Sequence, residues 1–161
     1  MGTPAAGRDA EAPATDADVG GARQRRRRLR TALDDLEDAL ARASRPREAW
    51  AQRVAEAFDR VVTAMEDHVA ETEGPDGFFD QVVRDAPHVG QWVERLRREH
   101  DLMHAAARRL VNRVHSGIVS DDDVEELRTG GLDFIHLANE HRQRGADLLY
   151  DAYQVDIGGE H

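Results

Sequence analysis

Eight histidines stand in a chain of 161 residues that is otherwise rich in arginine, acidic residues and alanine. Five of them lie in segments whose apolar residues recur with helical spacing: His68, His100, His104, His136 and His141. The chain has no cysteine, which excludes disulfides, thiolate nucleophiles, iron–sulfur clusters and cysteine zinc sites. Imidazole and carboxylate are the ligands that iron, zinc and manganese take from protein cores. Metal binding is therefore the chemistry that the residue types favour.

The elements that must position these side chains are four amphipathic helices. Apolar residues recur at steps of three and four over residues 22–44, 46–74, 88–115 and 120–153. Helices of this length, joined by mostly short connections, predict an all-α fold, an up-down-up-down four-helix bundle. Residues 74–87 form a longer connection, and its apolar side chains are predicted to close one end of the core: Phe78, Phe79, Val82 and Val83.

The composition also sets the domain limits and the class of protein. Residues 1–21 carry almost no large apolar side chain, so we expect a disordered tail there, a helical domain over 22–155 and a short tail over 156–161. A net charge of −10 argues against binding to nucleic acid or anionic lipid. No apolar run approaches the roughly 20 residues of a membrane helix. The first residues lack the pattern of a secretory leader, so we expect a cytoplasmic protein.

Antiparallel packing would bring the five histidines to one level of this bundle. His68 lies near the end of the second predicted helix, His100 and His104 lie near the start of the third, and His136 and His141 lie in the later half of the fourth. At 1.5 Å of rise per residue, their heights agree to within about 12 Å. The sequence therefore predicts one interior layer that holds all five imidazoles.

Such a layer is costly to bury unless its members share a partner. A metal ion is such a partner, and two nearby acidic residues could add carboxylate ligands. The predicted ligands are His68, Glu71, His100, His104, His136, Glu140 and His141. The alternative is a hydrogen-bonded polar layer without a metal. No catalytic residue can be named from the sequence.

The third predicted helix contains the motif Glu99-His100-Asp101-Leu102-Met103-His104, while His68 and His136 mark the helices on either side. On these residues the chain, over positions 22–154, resembles the hemerythrin-like (HHE cation-binding) domain family. The resemblance implies a bundle that holds a non-heme di-iron centre. The family's ligands are a histidine on the first helix, His-x3-Glu on the second, His-x3-His on the third and His-x4-Asp on the fourth.

This chain departs from that pattern at three ligand positions. Thr72 stands where the carboxylate of the second helix is expected, next to Glu71. His141 stands at the carboxylate position of the fourth helix, one residue after Glu140. Arg26 stands at the histidine position of the first helix, and an arginine cannot ligate a metal.

Three interpretations of the centre follow from these departures. Glu71 and Glu140 could bridge two irons, with His141 supplying the missing nitrogen. The site could instead hold one metal ion on three to five histidines. Or the centre could be lost, with Arg26 paired to Glu71 or Glu140. The cofactor is accordingly expected to be iron, as two ions or one, with zinc or manganese left open.

The resemblance implies a protein that binds or senses dioxygen, nitric oxide or peroxide in the bundle core. A non-heme iron oxidase or peroxidase-like enzyme, acting on a small substrate, is the alternative. A third hypothesis is a metal-free interaction module that uses the arginines of the first helix, Arg23, Arg25–Arg28 and Arg30. The sequence leaves the choice among them open, together with the oligomeric state.

Overall fold

The computed structural model describes residues 16–154, which form four long helices, one short helix and one 3-10 turn. The elements are α1 (Asp16–Ala41), α2 (Arg47–Glu73), α3 (Phe78–Asp85), the 3-10 turn (Pro87–Val89), α4 (Gly90–His115) and α5 (Asp121–Gln154). Around the bundle, α1 packs against α2 and α5, and α4 packs against the same two helices. The predicted all-α four-helix bundle is confirmed.

The element limits differ from the predicted ones at two places. Helix α1 begins at Asp16, so residues 16–21 of the predicted tail are helical, while its remainder and the predicted tail over 156–161 lie outside the described residues. The connection after α2 contains the helix α3, whose Phe79 and Val82 are buried at one end of the core. Among the described helices, none is both long and apolar enough to cross a membrane.

Reciprocal hydrogen bonds between Ser120 and Asp123 fix the start of α5. The backbone N–H of Asp123 donates to Ser120 Oγ at 3.1 Å, and the backbone N–H of Ser120 donates to Asp123 Oδ2 at 2.9 Å. This is a capping box, with aspartate in the place of glutamate. Hydrogen bonds from the backbone N–H groups of Val119 and Ser120 lower the pKa of Asp123 to about 2.

The core consists of two apolar clusters that lie on either side of a histidine layer. The larger cluster reaches from the α1–α2 turn to Met65, Met103 and Ala138. The smaller one, built on α3, α4 and α5, includes Phe79, Leu96 and Leu148. Three histidines interrupt the apolar stripes between these clusters: His68 on α2, His100 on α4 and His141 on α5. The histidines therefore form a polar layer between two apolar parts of the core.

A glycine pair allows α5 to lie close to its neighbours. A Cβ atom added at Gly131 would lie 2.5 Å from Leu40 Cδ1, and one added at Gly130 would lie 2.8 Å from Leu110 Cδ2. Leu40 is fully buried, so its side chain has little room to move away. Helix α5 continues through this pair as one helix.

We therefore expect Gly131→Ala to lower the free energy of unfolding. Overpacking a filled core costs about 1–3 kcal/mol, which exceeds the gain of about 1 kcal/mol from replacing a glycine inside a helix. The matched control is Gly145→Ala on the same helix, where an added Cβ meets no atom within 4 Å. Urea unfolding should show a loss for the first variant and a gain for the second. Equal gains for both would contradict the close packing of α5 on Leu40.

Candidate metal centre

Three histidines from three helices meet in the interior of the bundle. One ring nitrogen from each of His68, His100 and His141 lies within 4.8 Å of the other two. The ring centroids of His100 and His141 are 4.6 Å apart, and His68 stands edge-on to both rings. His100 and His141 are each only 3% exposed. The group has the residue types, the spacing and the burial of a metal centre.

Two carboxylates fix the orientation of two of these rings. His100 Nδ1 lies 2.6 Å from Glu73 Oε1, and His141 Nδ1 lies 2.8 Å from Glu99 Oε2. A carboxylate can only accept a hydrogen bond, so each Nδ1 carries the proton and donates it. Each neutral ring then has its lone pair on Nε2. Histidines that bind metals are held by outer carboxylates in the same way.

The two Nε2 atoms face one another at 2.9 Å. With both Nδ1 protons donated to carboxylates, a hydrogen bond between these nitrogens needs an additional proton and a buried imidazolium. Burial opposes that charge, because it lowers the pKa of His100 to about 4 and also lowers the pKa of His141. Two lone pairs that converge in a buried site fit a cation better than they fit each other.

The three histidine nitrogens are spaced to fit a first-row metal ion. Two ligand nitrogens at right angles, each about 2.1 Å from one ion, lie about 3.0 Å apart, close to the observed separation. His68 Nε2 is buried and has no hydrogen-bond partner among the residues that the structure describes. Its burial and the neighbouring histidines lower its pKa to about 3, so its ring is neutral and able to donate a lone pair. A buried polar atom without a partner calls for a reason, and a bound cation supplies one.

Packing and an ion pair surround this group, and a surface groove reaches one of its members. The ring of Phe79 stacks on His100 with centroids 5.7 Å apart. Arg144 Nε lies 2.8 Å from Glu99 Oε1, so the carboxylate that holds His141 is itself paired. A surface groove between α2 and α4, lined by Met65 and Val69 among others, extends to His100. A small molecule could approach the centre along that groove.

Two of the five predicted histidines do not join the cluster. His104 is half-buried in the wall of the groove, because Met103 takes the interior position one turn after His100. The side chain of His136 is 76% exposed, and its Nε2 lies 3.2 Å from Glu140 Oε1. Five residues turn a helix by about 500°, so an inward His141 leaves His136 about 140° away from it. Of the predicted layer of five imidazoles, the structure brings together three.

The two predicted carboxylate ligands also point elsewhere. Glu71 Oε2 is 2.9 Å from Arg25 Nε, and Glu140 is exposed beside His136. Among the described residues, no carboxylate joins the three-histidine group. The arginine of α1 that faces Glu71 is Arg25, whereas Arg26 is exposed. The predicted pairing of Arg26 with Glu71 is therefore wrong by one residue.

Glu73 and Glu99 were not predicted as members of the site. Both hold a histidine ring through Nδ1, and Glu99 is buried. One signal could have identified Glu99: it lies three residues after Leu96 and one before His100, on the stripe of α4 that faces the core. Glu73 follows the last turn of the apolar stripe of α2, and nothing in its sequence neighbourhood marks it.

His68 predicts how the stability of the metal-free protein depends on pH. Its pKa is about 3 in the native state, against 6.5 as the ordinary value. The native state therefore binds fewer protons than the unfolded chain below pH 6.5, and the stability present above that pH is lost as the pH falls. We expect the free energy of unfolding to decrease from pH 6.5 to 5, with a contribution from His68 of up to about 1.4 kcal/mol per pH unit.

Urea unfolding in the presence of a chelator measures this slope, and the chosen range lies above the usual pKa of carboxyl groups. His68→Leu should reduce the slope, whereas His136→Leu, at an exposed histidine, should leave it unchanged. An equal slope in wild type and His68→Leu would show that His68 can be protonated in the native state.

Comparison with known families agrees with the fold and the residue types of the centre. The family model described as "Hemerythrin HHE cation binding domain" matches residues 12–152. No curated protein and no solved structure shows a significant match to this chain. Because the family model covers most of the chain, and because a histidine group suited to a cation lies in the bundle core, the protein belongs to the hemerythrin HHE cation-binding domain family.

Proposed function

We propose that this protein binds a single iron ion through His68, His100 and His141, and that the loaded centre binds a small ligand such as dioxygen, nitric oxide or peroxide. The observation that carries the proposal is the pair of Nε2 atoms that face one another at 2.9 Å while Glu73 and Glu99 hold the opposite nitrogens. Family membership supports cation binding, and the geometry of this chain supports the choice of ligands.

One ion suits the described donors better than two. A di-iron centre needs further ligands, and carboxylate bridges are the usual ones in helix bundles. Here Glu71 is engaged by Arg25, Glu140 is exposed, and the carboxylates nearest the cluster hold histidine rings through Nδ1. Three neutral imidazoles do not offset the positive charge of the ion. The carboxylates of Glu73 and Glu99, which hold two of the rings, would supply the opposite charge.

Iron is favoured for its chemistry with small ligands. A ferrous ion held by three protein ligands supplies open coordination positions at which a diatomic molecule or peroxide can bind. The protein's part is to keep the histidines neutral and oriented, to exclude bulk water by burial, and to leave the groove between α2 and α4 as an approach. Zinc also accepts a three-histidine site, so the metal must be identified by measurement.

The test is anaerobic reconstitution with ferrous iron, followed by metal analysis and addition of nitric oxide. We expect one iron per chain and new visible absorption bands on adding nitric oxide, because three protein ligands leave coordination positions at which nitric oxide can bind. His68→Ala, His100→Ala and His141→Ala should each lose most of the iron and the bands.

The matched controls are His104→Ala and His136→Ala, because neither side chain joins the cluster. Both variants should retain the iron stoichiometry of the wild type. Two irons per chain, or loss of iron in His136→Ala with retention in His141→Ala, would overturn the single-ion proposal and favour a di-iron centre with the family's ligands. Absence of iron binding with tight zinc binding would overturn the choice of metal alone.

The outer carboxylates give a separate prediction. Glu99→Gln keeps the shape of the side chain but removes the charge that holds His141. We expect the affinity for divalent metal to fall about 10- to 100-fold, the usual effect of losing such a partner. Competition against a chelator, with Co²⁺ or Zn²⁺ as the probe, measures the change.

Glu140→Gln is the control for this experiment. Glu140 lies one residue before His141 and also approaches Arg144, at 3.8 Å, but makes no contact with the histidine group. Its replacement should change the affinity by less than twofold. If both variants lose affinity equally, the effect is one of general negative charge and not of the hydrogen bond to His141.

A further inference from the structure

The outward face of α1 carries a stripe of charge whose sign reverses along the helix. At about 100° per residue, seven charged side chains fall within an arc of about 120°. The N-terminal half of the stripe is basic and the C-terminal half is acidic: Arg23, Arg26, Arg27 and Arg30, then Asp34, Glu37 and Asp38. All seven residues are exposed. We call them the α1 stripe.

Few of these charged side chains have an ion-pair partner among the described residues. The α1 stripe has one such pair, an exposed contact of 3.9 Å between Asp38 and Arg42. Another arginine of α1, Arg25, points towards Glu71 and is not part of the stripe. The buried leucines of α1 lie on another face, from Leu29 to Leu40. The stripe is therefore a separate surface that the described residues of one chain leave almost without ion pairs.

We propose that the α1 stripe is the contact surface of a homodimer, in which the α1 helices of two copies lie antiparallel. A helix that is basic at one end and acidic at the other matches itself when a second copy is turned by a twofold axis. Each basic half then lies against the acidic half of the other copy. A parallel pair would instead bring like charges together, so the sign pattern selects the antiparallel arrangement.

The spacing of the charges gives the register. Placing the axis between Arg30 and Thr31 sets Arg23 opposite Asp38 of the second copy, and Arg27 opposite its Asp34. The same two pairs recur on the other side of the axis. The paired positions span about 22 Å of helix, because fifteen residues separate Arg23 from Asp38 at about 1.5 Å each. One axis position therefore forms four ion pairs in the dimer, and it brings one pair of like charges, the two Arg30 side chains, near the axis.

A second copy fits this surface better than a foreign polyanion does. A polyanion would be attracted by the four arginines and repelled by the three acidic residues that continue the same stripe. The whole chain also has a net charge of −10, which opposes a large anionic partner. The stripe carries no large apolar side chain, so the predicted dimer is electrostatic and sensitive to salt.

Sedimentation velocity of the full chain at low and high ionic strength is the first test. We expect a dimer at low salt and a dissociation constant at least about tenfold higher at 1 M salt, where the Debye length is about 3 Å. A protein that stays monomeric at low salt would overturn the proposal. A dimer whose affinity is independent of salt would also overturn it.

Charge reversal tests the register. Arg23→Glu with Arg27→Glu makes all the paired positions of the stripe acidic, and Asp34→Arg with Asp38→Arg makes all of them basic. Each double variant should be monomeric, because like charges would then face one another. An equimolar mixture of the two should form a heterodimer, since every reversed position meets an opposite charge. A mixture that remains monomeric, or a double variant that still forms a dimer, would refute the antiparallel register.

Two exposed charges on α1 outside the stripe serve as the control. Arg28→Glu with Asp35→Arg also reverses two exposed charges of α1, one of each sign, on a neighbouring face. This variant should form dimers as the wild type does. Circular dichroism and metal content should stay unchanged in all the variants, because the substituted residues are exposed and none of them belongs to the histidine group.

Discussion

The convergence of lone pairs from His100 and His141 is the constraint on which the centre of the bundle depends. Glu73 and Glu99 take the Nδ1 protons of the two rings, and the rings are left with Nε2 atoms 2.9 Å apart. In a buried site neither nitrogen can turn to water, and protonation is opposed by burial. A cation resolves this conflict without moving any of the groups. The same arrangement would be an unexplained cost in a protein that bound no ion.

The remainder of the interior separates this polar layer from water. One apolar cluster ends at Met65, Met103 and Ala138, and the other begins at Leu96 and Phe79. The helix α3 matters here because it carries Phe79 onto the ring of His100. A flexible connection in its place would leave that ring open to solvent and lower the cost of protonating it. Orientation of the histidines therefore depends on apolar packing as much as on carboxylates.

The sequence predicted the helices and the bundle, because both follow from apolar spacing. The sequence did not predict which histidines face the interior, because that depends on the rotation of each helix about its own axis. His136 lies on the outer side of α5 and His104 lies at the edge of α4. Moving one residue along a helix turns the direction of the side chain by about 100°. Glu73 escaped prediction because its role depends on a partner 27 residues away. Height along a bundle can be counted from a sequence, but the direction of each side chain requires packing.

The histidine group and the α1 stripe lie on different helices, which explains how one chain can carry both. The three histidines come from α2, α4 and α5, so α1 contributes no residue to the group. On its inner side α1 supplies buried leucines and the pair between Arg25 and Glu71, an interaction that removes Glu71 from the list of free carboxylates. The position at which the family's first helix supplies a histidine is held here by an exposed arginine, Arg26. Because the histidine group takes no residue from α1, charge reversal on the outer face of this helix can test the proposed dimer without altering the ligands.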